Sequence, residues 1–328
     1  MKAMLIAALA GGMLAPLAQA QEKEGASLYP SRPVTFVVPF TPGGSTSLIA
    51  RVVGQKLEQR LGKPFIIDHR AGGGGVIGVT QVAHGTPDGY TIMMASSTAL
   101  AINVNVRKML PYDPRKDITP VALLARMPYV LVVNPDLPVQ SVADLVKLAK
   151  EKPGQLSFAS VGPGTIHHLN AEMFKSIFDI NVVHVPYKCS APALQDIVGG
   201  HVQFMFVDAP PAKALVESGK LRALGVTTLE RVEALPDVPP LTEVGVPGYN
   251  TASWHSISTT AGVPKEIVDK LATEIRAVMS EPEVQKLLLA EGAIPQISPP
   301  PEEFKKYVDA EIVRWGALVE KAGILHSQ

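Results

Sequence analysis

The chain has 328 residues, of which 46% are hydrophobic and 18% are charged, and this length suits two domains with sizeable cores. The 30 basic and 30 acidic residues balance, and aromatic residues make up only 5% of the chain. No basic run supplies the electrostatic footprint of a nucleic-acid-binding protein, so we do not expect nucleic acid as a partner.

The N-terminus predicts a cleavable signal peptide over residues 1–20. Lys2 supplies the positive charge, residues 4–14 are apolar or small, and Ala18-Gln19-Ala20 has the pattern of a cleavage site. The apolar stretch is too short for a membrane span, which needs about 20 residues. We therefore expect an exported protein whose mature chain begins at Gln21.

The first part of the mature chain alternates short β-branched runs with helical periodicity. In chain order, the predicted elements are a strand at 34–39, a helix from the turn at 41–45 to Gly62, a strand at 65–67, a helix at 76–83 and a strand at 90–94. Strands that alternate with helices are typical of a parallel α/β sheet.

The same alternation begins again after residue 130. The predicted elements are strands at 130–133, 156–159, 182–185, 202–206 and 221–226, helices at 141–150, 169–177 and from Pro192, and C-terminal helices at 264–279, 284–289 and 302–322. Two α/β series predict two lobes, with chain crossings near 125–130 and 248–257. We assign residues 21–127 with 256–328 to lobe 1 and residues 128–255 to lobe 2.

Loops rich in Gly, Ser and Thr follow several predicted strands, where ligands of open α/β sheets bind. These loops are 41–47, 95–98, 160–165 and 188–192, together with Asp208. Helix N-termini favour anions, and hydroxyls add hydrogen-bond donors. Each loop alone is more simply a turn with a helix cap, but their recurrence predicts a carboxylate pocket between the lobes.

Two other ligand classes fit the sequence less well. Residues 73–78 spell G-x-G-x-x-G after a strand, but no acidic residue follows from 89 to 111, as a dinucleotide site would require. His168 and Glu172 have i, i+4 spacing beside His167, but the spacing suggests no third metal ligand. We therefore expect no cofactor and no metal.

An enzymatic function also fits poorly. Residues 43–47 depart from the G-x-S-x-G pattern of hydrolases at the last position. The single cysteine, Cys189, cannot form an internal disulfide, and it is more simply a small buried residue at a loop-to-helix junction than a nucleophile. A solute receptor is thus favoured over a secreted α/β hydrolase, while a ligand sensor for a membrane kinase stays open.

Several stretches carry a resemblance to a known family: YPSRPVTFVVPFTPGGSTSLIAR at 29–51, PDGYT at 87–91, HVPYK at 184–188, GGHV at 199–202 and LPDVP at 235–239. In this order, over essentially the whole mature chain, they resemble the Bug family, the periplasmic substrate receptors of tripartite tricarboxylate transporters. The resemblance implies an α/β, two-lobed type II periplasmic-binding-protein fold, or Venus flytrap, with the ligand cleft between the lobes. It also implies membrane transporter subunits as partners, and we expect a monomer.

The resemblance and the loop pattern together nominate ligand-binding residues. These are Gly43, Gly44, Ser45, Thr46, Ser97, Ser160, Gly164, Thr165, His168 and Asp208. Three positions depart from the family pattern: Ser47 stands where Asp is usual, Ala71 where Pro is usual, and Cys189 where Gly is common.

The departure at Ser47 bears on the ligand, because a ligand ammonium group would lose an acidic partner there, although Asp208 could replace it. We therefore expect a dicarboxylate without an amino group. Apolar residues near the loops, such as Leu48, Ile166 and Trp254, leave room for a flat or aliphatic middle, and we expect an aromatic diacid such as a phthalate isomer slightly ahead of citrate-like acids.

Overall fold

The computed structural model describes residues 27–328, so the signal peptide expected at residues 1–20 lies outside the described residues. The strands are β1 (Val34–Val38), β2 (Phe65–His69), β3 (Thr91–Ser96), β4 (Ile118–Val133), β5 (Ser157–Ser160), β6 (Val183–Pro186), β7 (Phe204–Asp208), β8 (Arg222–Val226), β9 (Ala252–Thr260) and β10 (Ile294–Pro295). The helices are α1 (Ser45–Leu61), α2 (Val76–Ala83), α3 (Asn103–Val106), α4 (Val142–Glu151), α5 (Ile166–Phe178), α6 (Ser190–Val198), α7 (Ala209–Glu217), α8 (Lys265–Met279), α9 (Pro282–Ala290) and α10 (Pro301–Lys321). Short helical turns cover Gly73–Gly75, Thr98–Ile102 and Leu241–Val244.

The predicted alternation of strands and helices is confirmed, including the helix that Ser141 caps by accepting a hydrogen bond from the Asp144 amide at 3.1 Å. Helix α7 has no counterpart among the sequence predictions. Two prolines stand in its first turn, where the missing N–H groups cost nothing because that turn has no intrahelical acceptors. A Pro-Pro pair that looks like a loop in the sequence is therefore compatible with a helix start.

The strands follow one path in the order β2-β1-β3-β9-β4-β7-β5-β6, with β8 and β10 paired to β4. Within this path, β1 is parallel to β2 and β3, and β5 is parallel to β6 and β7. The long strands β4 and β9 run antiparallel to each other between these two groups. The parallel groups and their helices give the mixed α/β, two-lobed fold that the sequence predicts.

Strand β4 changes partner midway. It pairs with β9 as far as Pro128 and with β7 from Tyr129 onward. The change falls inside the first predicted crossing, and β9 begins inside the second. We propose that the lobes divide here, with residues 27–127 and 256–328 in lobe 1 and residues 128–255 in lobe 2.

The C-terminal helix α10 is fixed to the crossing strand β9 by a buried carboxylate. Glu311 Oε2 accepts hydrogen bonds from the indole N–H of Trp254 at 2.8 Å and of Trp315 at 2.9 Å. A buried carboxylate is costly unless it is hydrogen-bonded, and both indoles need acceptors when buried. The Trp254 side chain is thus hydrogen-bonded to α10 at the junction of the lobes.

Candidate ligand-binding site

A cavity lies at the junction of the two lobes, beyond the ends of β1, β3 and β7. It encloses about 480 Å³ of atom-free space, including its open mouth. Its lining residues are mostly small and polar: Phe40, Thr41, Gly44, Ser45, Thr46, Ser96, Thr98, Tyr129, Val161, His167, Cys189, Ser190, Asp208, Ser253 and His255. Among these described lining residues, none is lysine or arginine.

The loop at 41–47, which we call the first-lobe loop, leads from β1 into α1. Gly44 caps α1 without a side-chain hydrogen bond, and the N-terminus of a helix is a place where backbone amides can act as donors to anions. The Ser45 amide donates to Asp208 Oδ2 at 3.2 Å, and Thr46 Oγ1 shares a hydrogen bond of 3.1 Å with His255 Nε2. This helix start therefore contacts both β7 and β9.

Asp208, at the end of β7, joins three elements. Its Oδ2 accepts the hydrogen bond from the Ser45 amide. Its Oδ1 lies 3.1 Å from His167 Nε2 on α5 and 3.3 Å from Ser190 Oγ on α6. Burial raises the pKa of this carboxyl, but the hydrogen bonds from His167 and Ser45 and the nearby His255 outweigh burial and hold it well below its usual range. Asp208 is therefore an ionised, hydrogen-bonded anion at the seam between the lobes.

Three buried polar atoms in the cavity wall have no hydrogen-bond partner within residues 27–328: Thr41 Oγ1, His167 Nδ1 and His255 Nδ1. Burial lowers the pKa of His255 to about 4, with a further decrease from nearby His167 that Asp208 opposes, so this ring is neutral at pH 7. Buried polar atoms are nearly always hydrogen-bonded in proteins. These three atoms are therefore candidates to bind a solute or its bridging waters.

Four of the ten residues nominated from the sequence line the cavity, namely Gly44, Ser45, Thr46 and Asp208. Gly43 lies beside them with a φ of 104°, and a Cβ there would stand 3.4 Å from Ala191 of lobe 2. Ser97 does not line the cavity: it is buried at the start of a helical turn, between Ser96 and Thr98, which do.

The other four nominated residues belong to the second-lobe loop at 160–165 or to the helix behind it, and they do not line the cavity. Thr165 Oγ1 donates to Gly162 O at 2.7 Å, Ser160 Oγ lies 2.6 Å from His184 Nε2, and the Gly164 amide donates to His168 Nδ1 at 3.2 Å. These contacts hold the loop together from within. Only Val161 of this loop reaches the cavity wall.

The apolar residues expected beside the ligand are also placed elsewhere. Neither Leu48, Ile166 nor Trp254 lines the cavity, and Trp254 packs against α10 instead. The apolar wall comes from Phe40 and Val161. The room expected beside Leu48, Ile166 and Trp254 for the middle of the ligand is therefore not part of this cavity.

Several cavity residues were missed as ligand-binding candidates. Tyr129 on β4 and Ser253 on β9 face each other, with 3.1 Å between their hydroxyl oxygens, and no sequence pattern signals this pair. His255 falls inside the second predicted crossing at 248–257 without being nominated, and His167 is considered only beside a metal site. The positions of Tyr129, Ser253 and His255 depend on the register of β4 with β9, which the sequence does not reveal.

The glycine run at 72–75 has a packing function in the described structure. A Cβ at Gly74, whose φ is 66°, would lie 3.2 Å from the carbonyl oxygen of Pro163 in the other lobe. A Cβ at Gly78 would lie 2.8 Å from the Arg70 carbonyl oxygen. The G-x-G-x-x-G spelling thus reflects close approach of backbones across and within the lobes.

The fold and the cleft define a two-lobed solute-binding protein. Residues 49–324 match the model of the tripartite tricarboxylate transporter family receptor, and the chain belongs to this family. It is 35% identical over 299 residues to protein BugT of Bordetella pertussis, with 91% of each chain covered.

Two solved structures of similar proteins hold small acids. R. palustris Rpa4515 with adipate is 39% identical, has a TM-score of 0.87, and is matched over 90% of this chain and 99% of that one. MatC from Rhodopseudomonas palustris with bound malate is 31% identical, has a TM-score of 0.84, and is matched over 89% and 100%.

The family assignment confirms the resemblance to the Bug receptors. Receptors of this family bind solutes in the periplasm and are not enzymes, so the hydrolase alternative is rejected. Within residues 27–328, no helix has the length and apolar character to cross a membrane.

Proposed function

We propose that this receptor captures a small dicarboxylate without an amino group and delivers it to the membrane subunits of a tripartite transporter. The observation that carries the proposal is the cavity wall, which offers hydroxyl, imidazole and helix N-terminal amide groups around an already occupied carboxylate. Hydroxyl and amide donors bind carboxylates and carry no negative charge that would pair with an ammonium group.

Asp208 is a poor partner for a ligand ammonium group. Its oxygens already accept hydrogen bonds from Ser45, His167 and Ser190. Three of the about four lone-pair sites of the carboxylate are therefore taken, and an ammonium group would find one acceptor site left, at Oδ2. This arrangement supports a ligand without an amino group.

For the middle of the ligand, we place aliphatic diacids ahead of aromatic ones. The similar structures hold adipate and malate, and Phe40 and Val161 offer a limited apolar wall. Phthalate isomers and citrate are the second choice, because Leu48, Ile166 and Trp254, the apolar residues expected near the ligand, do not line the cavity.

The test is a calorimetric and thermal-shift panel of adipate, malate, succinate, phthalate isomers, citrate, glutamate and aspartate. A bound acid at 100 times its Kd stabilises the fold by about 2.7 kcal/mol, which raises Tm by about 2–4 °C for each kcal/mol. If only the amino acids raise Tm, the proposed ligand class is wrong.

Delivery to a transporter, rather than signalling to a membrane kinase, has its own test. A strain that lacks the receptor should lose uptake of the acid, whereas a sensor mutant would keep uptake and lose only the transcriptional response. We also propose a monomeric, exported protein, to be checked by light scattering and by N-terminal sequencing of periplasmic material, which should begin at Gln21.

A further inference from the structure

His167 carries a buried hydrogen-bonding atom that the described protein leaves without a partner. The residue lies in the first turn of α5, lines the cavity, and is 7% exposed. Its Nε2 lies 3.1 Å from Asp208 Oδ1. Its ring packs edge-on against the Tyr129 ring, with 5.0 Å between the two ring centroids. Nδ1 has no partner within residues 27–328.

The contact with Asp208 decides what Nδ1 can do. An ionised carboxylate only accepts hydrogen bonds, so Nε2 must carry the hydrogen of the bond to Asp208. In a neutral ring Nδ1 is then a bare acceptor, and in a protonated ring it is a donor. A ligand carboxylate can therefore pair with Nδ1 only if one additional proton is present.

The described residues that line the cavity around His167 supply no fixed positive charge. Asp208 on β7 is an anion, Tyr129 on β4 is kept protonated because burial and nearby Asp208 raise its pKa well above the usual value, and His255 on β9 is neutral at pH 7. Cys189, just before α6, is the remaining titratable lining residue. A dianionic ligand would thus add negative charge beside Asp208, which is unfavourable in a buried site.

We propose that His167 is a specificity-determining residue, which binds one ligand carboxyl group through Nδ1, and that a dicarboxylate dianion binds together with one proton. The inference rests on the proposed function. The proton lies between Nδ1 and the ligand oxygen, either on the imidazole or on the carboxyl group. Both descriptions contain the same atoms and charge, and in both the proton comes from solvent.

Proton uptake makes the affinity depend on pH. The complex holds one proton more than the free protein and the free dianion, so binding is favoured at low pH. Where His167 and the ligand are both deprotonated before binding, the affinity falls by about tenfold for each unit of rising pH.

The test is calorimetry with adipate and with malate at pH 6.5 to 8.5, in pairs of buffers with different ionisation enthalpies. The wild type should take up about one proton per bound diacid at pH 8. His167→Gln keeps a hydrogen-bond donor but cannot titrate, so its proton uptake should vanish and its affinity should become flat with pH. His167→Leu should lose at least about tenfold in affinity at pH 6.5, because no donor replaces the ring.

His201→Gln is the matched control, since this exposed histidine of the same lobe lies outside the cavity and its loss should leave proton uptake unchanged. Urea unfolding of the unliganded variants shows whether each one is folded. Diacid binding without proton uptake, or uptake that persists in His167→Gln, overturns the role of His167 and leaves the proposed receptor function standing. If neither adipate nor malate binds the folded wild type, the proposed ligand class fails as well.

Discussion

The first-lobe loop and the second-lobe loop have similar compositions and different hydrogen bonding. In the first-lobe loop, the Ser45 amide and the Thr46 hydroxyl contact residues across the cavity, and Thr41 Oγ1 has no partner within the described chain. In the second-lobe loop, the Ser160 and Thr165 hydroxyls are bonded to Gly162 and His184. Glycine, serine and threonine after a strand therefore build a binding surface in one lobe and a self-supporting turn in the other.

The largest effect is expected at Asp208, which links the first-lobe loop to lobe 2. Asparagine offers one carbonyl oxygen and no charge to the three donors from Ser45, His167 and Ser190. Asp208→Asn should lower the free energy of unfolding by about 3 kcal/mol, the upper range for hydrogen bonds to a charged group. Urea denaturation of the unliganded protein measures this loss.

The pH dependence of that loss identifies its origin. Because the folded-state pKa of Asp208 is lowered, its stabilisation is fully present above the unfolded value near about 4 and is lost as the pH falls further. The difference between wild type and Asp208→Asn should therefore shrink in acid. The exposed Asp237→Asn should behave as wild type, and a loss at Asp208 that stays constant in acid would contradict the charged interaction.

The next effect concerns ligand affinity in the first-lobe loop. Thr41→Val removes a buried hydroxyl to which no group in residues 27–328 is hydrogen-bonded. If Thr41 binds a ligand carboxylate, the affinity for adipate should fall by about 10- to 150-fold, equivalent to about 1.5–3 kcal/mol. The unfolding free energy of the unliganded protein should change by less than about 0.5 kcal/mol.

Thr273→Val is the control for this substitution, because the Thr273 hydroxyl bonds within the exposed face of α8, away from the cavity. Calorimetry should find its adipate affinity unchanged. Equal affinities of Thr41→Val and the control would remove Thr41 from the binding site.

In the second-lobe loop we expect a substitution to lower stability and to leave ligand affinity nearly unchanged, with a smaller effect than that of Thr41→Val. Thr165→Val removes the 2.7 Å hydrogen bond to Gly162 O, so the unfolding free energy should fall by about 1 kcal/mol. The adipate affinity should change much less than in Thr41→Val. If Thr165→Val instead weakens adipate as strongly as Thr41→Val does, with no loss of stability, the Thr165 hydroxyl turns to the ligand on binding.

The order of strands and helices could be predicted from the sequence because local periodicity and turn residues determine it. The positions of the four loops and of Asp208 followed from the rule that ligands bind beyond strand ends. Hydrogen bonding inside the second-lobe loop could not be predicted, because Thr165 can donate to Gly162 or to a ligand without any change in sequence pattern.

The residues contributed by the crossing strands were also beyond sequence reasoning. Tyr129, Ser253 and His255 reach the cavity through the register in which Pro128 pairs with Ala252 and Ala125 with His255. A shift of one residue would turn these side chains to the opposite face. That register depends on long-range pairing between strands more than 100 positions apart, so no local pattern records it.

The smallest effect is the pH response of the second-lobe loop through His184. The His184 ring stacks on the His168 ring, with 4.2 Å between the ring centroids. His184 Nε2 lies 2.6 Å from Ser160 Oγ. Burial lowers its pKa to about 4, with a further decrease from His168 and Lys175 that Glu172 opposes. Since the unfolded value is about 6.5, the unfolded chain binds more protons between these values, and stability falls as the pH is lowered from about 6.5 to 4.

His184→Gln should therefore show a shallower loss of stability over this pH range than the wild type, in urea titrations at successive pH values. The difference should be less than about 1 kcal/mol, because the ring is partly exposed and its interactions are screened. The pKa of His255 is also lowered by burial, and His255 is still present in His184→Gln. Some loss of stability in acid should therefore persist in this variant. His84→Gln, an exposed position in lobe 1, should keep the wild-type slope. An unchanged slope in His184→Gln would show that the second-lobe loop holds its internal hydrogen bonds whether or not this ring is protonated.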